Sequence, residues 1–376
     1  MERVLVTGGA GFIGSHITDI LLEEGYNVRV LDNLEPQVHG DLDGPPEYLN
    51  PQAEFIKGDV RDRDALDRAL SGVDMVCHQA AMVGVAQSMY EIDRYVHGND
   101  CVTASLLQGI VDRIEKSGKI KKLVVASSMS IYGEGRYRCP QCGLVAPRVR
   151  SNEQLERREW ELLCDCGEVL EAVPTDEAKS LICESVYAIG KKVTEELALV
   201  IGRAYGIPTV ALRYFNIYGP RQALSNPYTG LLAIVASRVR NGQPALIFED
   251  GLQCRDFTYV RDAARANLAA LQWEGEGGFA VNVGTGKPRS VLDVADAVRD
   301  GLGGDLPHQV QGSFRSGDIR HCYADTGLAK KVLDYETKTS FEEGLPVFLD
   351  WAAEEEGVQD KVQKGVSELQ EKGLIK

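Results

Sequence analysis

No run of about 18 consecutive apolar residues occurs in the chain, which excludes a membrane-spanning helix of ordinary length. Positive charge is also scarce. Lysine and arginine number 41 against 56 aspartates and glutamates, a net charge of −15. A chain of that sign repels nucleic acid and anionic membrane surfaces, so neither is expected as a partner. Any anionic substrate has to be met by basic residues gathered locally. Internal repeats and low-complexity segments are absent too. The first β-type run starts at Arg3, which leaves no room for a signal peptide, and a cytoplasmic location is expected.

What is present suits a sizeable core. The 376 residues are 44% hydrophobic and 26% charged, enough for two domains or for one large α/β unit with an appended lobe. Nine cysteines do not contradict a reducing compartment, because four of them cluster in a metal-like spacing rather than a disulfide framework.

The run Arg3–Thr7 enters Gly8-Gly9-Ala10-Gly11-Phe12-Ile13-Gly14. A helix over 15–24, the stop Gly25 and a second strand over 27–31 follow, ending at Asp32 and Asn33. This is the strand, glycine loop, helix, strand, acid order of a dinucleotide-binding unit. The glycines allow close approach of a pyrophosphate to the helix N-terminus, where free N–H groups and the dipole favour negative charge. Asp32 is placed to accept from the adenosine ribose hydroxyls. It repels a 2′-phosphate, and no arginine follows at once, so NAD is favoured over NADP. A third strand is expected over 55–60, with Asp59 and Val60 near the adenine, and a fourth over 73–78. Small residues Ala80 and Ala81 then let the backbone pack beside the cofactor, and His78 reads as a structural strand-end residue. A helix over 97–116 carries Asn99. With the helix that follows Tyr187 it suits either an intersubunit four-helix contact or the core of one chain.

Tyr187 and Lys191 stand four apart in a stretch whose apolar positions Val193, Leu197, Val200, Ile201 and Ala204 recur at helical spacing. Side chains four apart lie on one side of a helix, so the phenol and the ammonium address one site. A fixed positive charge beside a tyrosine favours the phenolate and lowers its pKa, suiting it to take a proton from a substrate hydroxyl.

A fifth strand over 122–126 runs into Ser127-Ser128-Met129-Ser130-Ile131-Tyr132-Gly133. With the glycine loop, Asp59-Val60, Ala80-Ala81, Asn99 and Tyr187/Lys191, this stretch resembles the extended short-chain dehydrogenase/reductases of the nucleotide-sugar epimerase/dehydratase family. Further matching pieces are 213–221 (Arg-Tyr-Phe-Asn-Ile-Tyr-Gly-Pro-Arg), 255–260 (Arg-Asp-Phe-Thr-Tyr-Val), 282–286 (Asn-Val-Gly-Thr-Gly) and Arg315-Ser316-Gly317-Asp318. Together they span nearly the whole chain in the family's order. The resemblance implies a Rossmann-type doubly wound parallel α/β sheet over 1–215 and 246–285, with a smaller substrate lobe over 216–245 and 286–376. It implies bound NAD, a nucleotide-diphosphate sugar as substrate and a homodimer. Ser128 is then expected to hydrogen-bond the reacting sugar hydroxyl, Tyr187 to act as acid and base, and Lys191 to hold the nicotinamide ribose. Asn216, Arg255, Arg315 and Asp318 are expected at the diphosphate end, where guanidinium forks bind phosphate bidentately.

Dehydratases and decarboxylases of the family carry an acidic residue after the Ser/Thr. Here Met129 and Ser130 stand there. What remains is oxidation to a keto sugar and re-reduction on the other face, which is epimerisation. A net dehydrogenase or reductase of the same fold stays open, as does, more remotely, a non-catalytic NAD-binding regulator. In sugar 4-epimerases the residue four after the Gly-Asp pair borders the sugar, a large one restricting the pocket to plain hexoses. Cys322 occupies that position and implies room for a bulky substituent.

Between Gly133 and Pro174 the family needs only a short loop, whereas here roughly residues 136–172 intervene. They carry Cys139-Pro140-Gln141-Cys142-Gly143 and Cys164-Asp165-Cys166-Gly167. Four thiolates with no fifth ligand suit a closed structural zinc site, which has no position for substrate. Such a clip orders a loop with little apolar content. The insert leaves the chain just after the catalytic strand, where it is poised to cover the sugar pocket. The charged tail, 355–376, reads as a solvated helix.

Overall fold

Both faces of the central strands have to be buried, because Arg3–Thr7 and Lys122–Ser128 read as near-continuous apolar runs rather than alternating ones. The computed structural model, which describes residues 1–315 and 317–376 and, at Ser117, the backbone alone, meets this with a seven-stranded sheet. Its strands are β1 Arg3–Thr7, β2 Asn27–Asp32, β3 Glu54–Lys57, β4 Met75–His78, β5 Lys122–Ser128, β6 Thr209–Tyr214 and β7 Gly278–Val283. The spatial order is β7-β6-β5-β4-β1-β2-β3, and every pairing is parallel. This is the Rossmann order with one strand added at an edge, and the order in which strands are added reverses between β1 and β4. Val4, Val6, Val28 and Val30 face one layer, which includes the helices Phe12–Glu23 and Val260–Gln272. Leu5, Val76 and Val125 face the other, built on Arg63–Leu70, Val102–Ser117 and Val186–Tyr205.

Local details depart from the sequence reading. The third strand ends at Lys57 instead of Val60, where the Gly58 N–H turns back to the Asp32 carbonyl at 2.9 Å. The helix expected over 97–116 opens with a π-type turn, His97–Cys101, before the α-helix proper. Of the region assigned to the cofactor domain, strand Cys254–Tyr259 belongs elsewhere: it pairs with Asn216–Tyr218, Pro288–Ser290 and His321–Cys322 in a second sheet. That sheet and the helices Leu231–Arg240, Val291–Gly301 and Phe341–Glu354 share a core rich in aromatic side chains, including Tyr218, Phe257, Tyr259, Phe341 and Phe348. Ser340 and Glu343 start the last of these helices with a reciprocal capping box.

The insert folds as a three-stranded antiparallel sheet of Arg136–Cys139, Gly143–Val145 and Glu171–Val173. It has a small core of its own, Tyr137, Cys139, Leu162 and Leu170, so it holds more apolar content than expected. The tail differs too. Its helix, Val362–Glu371, buries Val362, Val366 and Leu369 against Phe248 and Ile375. Those residues recur at i, i+4 and i+7, a stripe that the surrounding charge obscured.

Candidate active site

A cavity of about 760 Å³ runs along the carboxyl ends of the strands, where open α/β sheets bind ligands. At one end lie Gly8, Gly11, Phe12, Ile13 and Gly14. Gly8 adopts φ +68°, and a Cβ there would stand 2.6 Å from the Ala80 nitrogen. A Cβ on Gly14 would come within 2.1 Å of the Gly8 carbonyl oxygen. No side chain caps the helix that begins after Gly11, which leaves its N-terminal amides for an anion. Asp32, buried at the end of β2, accepts from the Ala10 and Leu34 amides at 3.0 and 2.9 Å, so its carboxylate ties the glycine loop to the strand end. Asn33, Asp59, Val60, Ala80 and Ala81 continue the wall. Arg61 grips Asp59 through two hydrogen bonds of 2.9 and 2.7 Å and holds its carboxyl below the usual range. The shape and donors of this end fit a dinucleotide.

Asn99 stands behind the wall instead of in it. Its side chain accepts from the Met82 amide at 2.7 Å and donates to the Met82 carbonyl at 3.2 Å, clamping the loop after Ala81. His78 is structural: it bonds Thr7 and Thr103, and burial lowers it to about 3.

Ser128, Tyr187 and Lys191 meet at the middle of the cavity. Ser185 caps the helix Val186–Tyr205 by accepting from the Ala188 amide at 3.1 Å, and Gly206 ends it in a left-handed turn. Lys191 donates to the Ala126 carbonyl at 3.1 Å, and its ammonium lies 5.9 Å from the Tyr187 ring centre. The Ser128 hydroxyl oxygen accepts from the Ser130 amide and hydroxyl at 3.2 and 3.0 Å. Burial pushes the Tyr187 phenol up to about 12, and a hydrogen bond with Ser128 pulls the other way. Burial also lowers Lys191 to about 8. The expected depression of Tyr187 by Lys191 is therefore not found, because desolvation of the buried phenol dominates.

At the far end Asn216, Arg255, Arg315 and Asp318 line the cavity, while Ser316 lies outside the described residues. Arg255 donates to the carbonyls of Arg320 and Ile319 at 2.9 and 2.7 Å and meets an Asp318 carboxylate oxygen at 3.4 Å. Arg315 stacks over Phe248 at 4.3 Å. Three buried polar atoms in this wall have no partner among the described residues: Arg315 Nε, Asn216 Oδ1 and Gln253 Oε1. Buried polar atoms are normally paired, so this end is built for a polar ligand. Gln253 escaped sequence reasoning, since a lone glutamine beside Cys254 carries no motif.

Cys322 does not border the cavity. It is 1% exposed and packs among Met129, Tyr132, Phe215 and Ala324, with its thiol 3.8 Å from the Thr175 hydroxyl. The short strand His321–Cys322 turns this side chain away from the ligand space. Cys322→Tyr is accordingly expected to overpack this cluster, costing about 1–3 kcal/mol of stability. Small and bulky sugar substrates should lose activity alike; a selective loss on the bulky one would restore the gate.

No residue of the insert lines the cavity either, so it does not cover the sugar pocket. It supports the wall from behind. Arg150 forks onto Glu249 at 2.8 and 2.9 Å and reaches the Asp318 carbonyl at 3.2 Å. Glu161 holds Arg320 at 2.6 Å. The four cysteine sulfurs lie within 4.8 Å of one another. A tetrahedron of thiolates about zinc has sulfurs roughly 3.8 Å apart, so the cluster fits that metal after a small contraction.

Residues 4–149 and 164–284 match the NAD dependent epimerase/dehydratase family. The chain belongs to that family. The gap between the two matched segments, 150–163, falls inside the insert. The chain is 33% identical to the dTDP-L-rhamnose 4-epimerase of Burkholderia thailandensis over 94% of its own length and 96% of that relative's. Among solved structures it resembles the UDP-glucose 4-epimerase of Thermotoga maritima with UDP-glucose, at 32% identity and TM-score 0.73, covering 93% of this chain and 98% of that one. It is likewise similar to the UDP-glucuronic acid 4-epimerase of Bacillus cereus in complex with UDP-glucuronic acid and NAD, at 28% identity and TM-score 0.73, with 93% and 98% covered.

Proposed function

We propose that the protein epimerises a nucleotide-diphosphate sugar, with NAD held throughout the cycle. The observation that carries this reading is the single cavity joining a dinucleotide cradle, the Ser128–Tyr187–Lys191 group and an arginine-bearing end. NAD, when bound, supplies a reversible hydride acceptor. Tyr187 takes the proton from a ring hydroxyl as the carbon loses its hydride, and Ser128 orients that hydroxyl. The resulting keto sugar turns and regains hydride and proton on the other face, so atoms and electrons balance without a further reagent. Lys191 holds the nicotinamide ribose. Arg255 and Arg315 hold the diphosphate, with Asn216 beside them. Residues 1–215 and 246–285 serve the cofactor, and 216–245 with 286–376 the substrate, strand Cys254–Tyr259 counting with the latter. Incubating the protein with UDP-, dTDP-, GDP- and CDP-sugars, without added cofactor, should yield the epimer by NMR. Turnover that strictly needs stoichiometric external NAD or NADH would replace this reading by a dehydrogenase or reductase. One observation favours dehydration: Glu184 lines the cavity and burial raises its carboxyl. A product lighter by one water would decide for it.

A homodimer and a cytoplasmic location belong to the same reading. The helices Val102–Ser117 and Val186–Tyr205 lie side by side, and the second leaves Ile189 and Val200 half exposed, as a partner surface requires. None of the nine cysteines is joined in a disulfide, as suits a reducing compartment.

The insert is proposed to hold one structural zinc through Cys139, Cys142, Cys164 and Cys166. The Cys164 amide donates to the Glu168 carbonyl at 2.8 Å and Gly167 returns to Cys164 at 2.8 Å, a tight turn of the kind that presents thiolates. Protein purified without added metal should carry about one equivalent of zinc, as closed four-thiolate sites do. Cys164→Ser should increase proteolysis within 140–170 before it affects NAD content. Freshly prepared reduced protein free of metal would rule the site out.

A further inference from the structure

Residues 362–376 carry no recognised motif, yet they close one side of the cavity. Val362, Gly365, Val366, Leu369 and Leu374 line it. Three separate contacts hold this segment there. Glu368 accepts from the Tyr228 hydroxyl at 2.7 Å and from the Tyr90 hydroxyl at 3.0 Å, and the two phenol oxygens are 2.5 Å apart. Gly365 passes close to the 227–228 segment, where an added Cβ would sit 3.2 Å from Pro227 Cβ. Finally, Phe314 and Lys376 exchange backbone hydrogen bonds of 2.9 and 3.0 Å. That last pairing fixes the chain immediately before Arg315, whose Nε has no partner among the described residues.

The segment therefore ties together the 85–90 region, the 226–230 loop and the Arg315 strand, which approach the substrate end from different parts of the chain. Its cavity face is apolar, and Phe248, Leu246 and Ile234 continue it. Sugar hydroxyls against such a surface would lose hydrogen bonds to water without replacement. A flat, largely apolar base bears that contact, with Gln253 Oε1 at hand for one of its N–H groups.

We propose that residues 362–376 are the outer wall of the nucleoside end of the substrate site, and that Glu368 is a positioning residue which sets affinity for the nucleoside diphosphate by clamping Tyr90 to Tyr228. This rests on the sugar-nucleotide reading above. A carboxylate shared by two phenols makes charge-assisted hydrogen bonds, stronger than neutral ones, so its loss unties the wall without touching the reacting centre.

The test uses the full chain as wild type, Glu368→Ala, Glu368→Gln and Tyr90→Phe. UDP and dTDP binding is measured by calorimetry, alongside steady-state kinetics, NAD content and melting temperature. Glu368→Ala should weaken binding of the better diphosphate about tenfold and raise KM similarly, the loss expected for charged hydrogen bonds. Its kcat and NAD content should stay near wild type, which marks removal of uniform binding. Glu368→Gln and Tyr90→Phe should fall between. Wild-type dissociation constants in Glu368→Ala overturn the proposal. So does a joint fall of kcat, NAD content and melting temperature with binding unchanged, which marks a merely structural tail. A wild type that binds neither diphosphate overturns it as well. Wild type that binds a diphosphate yet turns over no sugar nucleotide defeats the epimerase reading and leaves this one standing.

Discussion

Epimerase activity in Tyr187→Phe is expected to fall roughly a thousandfold, within the range that a positioned acid–base group contributes. The substitution removes one oxygen from a half-buried ring and keeps its packing, so NAD content and melting temperature should match wild type. The reason for so large a loss is positional. Tyr187 and Ser128 line the middle of the cavity together, between the dinucleotide cradle and the arginine end. Without ligands, burial keeps the phenol protonated, raised to about 12, and the nearby ammonium is itself weakened to about 8. The phenolate needed to accept a proton thus depends on charge arriving with the cofactor beside Lys191. Activity should accordingly rise with pH as Tyr187 loses its proton, and the phenylalanine variant should lack that limb. Residual activity above a tenth of wild type would transfer the acid–base role to another group, with Glu184 first in line.

Arg320→Ala is expected to cost about 3–5 kcal/mol of stability, the loss seen when one member of a buried ionic cluster is removed. Arg320 is fully buried, with 0% exposure. Its guanidinium meets Asp250 at 2.7 and 2.9 Å, Glu161 at 2.6 and 3.1 Å and Glu249 at 3.3 Å, while its amide donates to Glu134 at 2.7 Å. Alanine leaves Asp250 and Glu161 without this counter-charge, while Glu249 keeps the Arg150 fork and Glu134 keeps the backbone amide at position 320. Arg320→Lys should recover only part of the loss, since an ammonium cannot reproduce the fork. Hydrogen bonds to His321 and Arg320 lower Glu161 to about 2. A depressed folded-state pKa stabilises above the unfolded value and ceases to do so as pH falls through the folded one. The Glu161 contribution is therefore complete above about pH 4.5 and disappears toward pH 2. Urea unfolding at neutral pH checks the main claim. A loss below about 1 kcal/mol would mean that water replaces the cluster at little cost.

Both predictions also separate what was readable in the chain from what was not. Elements that depend on neighbours along the chain were legible. The spacing of Gly8, Gly11 and Gly14 encodes a turn that excludes side chains, and Tyr187 with Lys191 encodes one helical face. The resemblance that these motifs carry then implied the parallel sheet. Each motif rests on interactions within a few residues, which local pattern records directly.

Tertiary structure alone decided the rest. Cys322 lies at the position where a sugar gate was expected, but the pairing of His321–Cys322 with Cys254–Arg255 turns it into the core. Arg150, Glu161, Glu249 and Arg320 sit as far as 170 positions apart and read singly as surface charges. Burial made them a cluster, because charges removed from water must find partners wherever the fold brings them. The tail shows the same principle at the cavity. Its composition spoke for solvent, while its apolar stripe found Phe248 and Ile375, and Glu368 found two tyrosines from distant loops. Sequence by itself determined the dinucleotide cradle and the shared helical face of Tyr187 and Lys191, since each is carried by short-range geometry, while the sheet and the place of Ser128 came with the family resemblance. Which side chains wall the substrate, and what braces that wall, followed only from contacts between distant segments, whose energies no local pattern encodes.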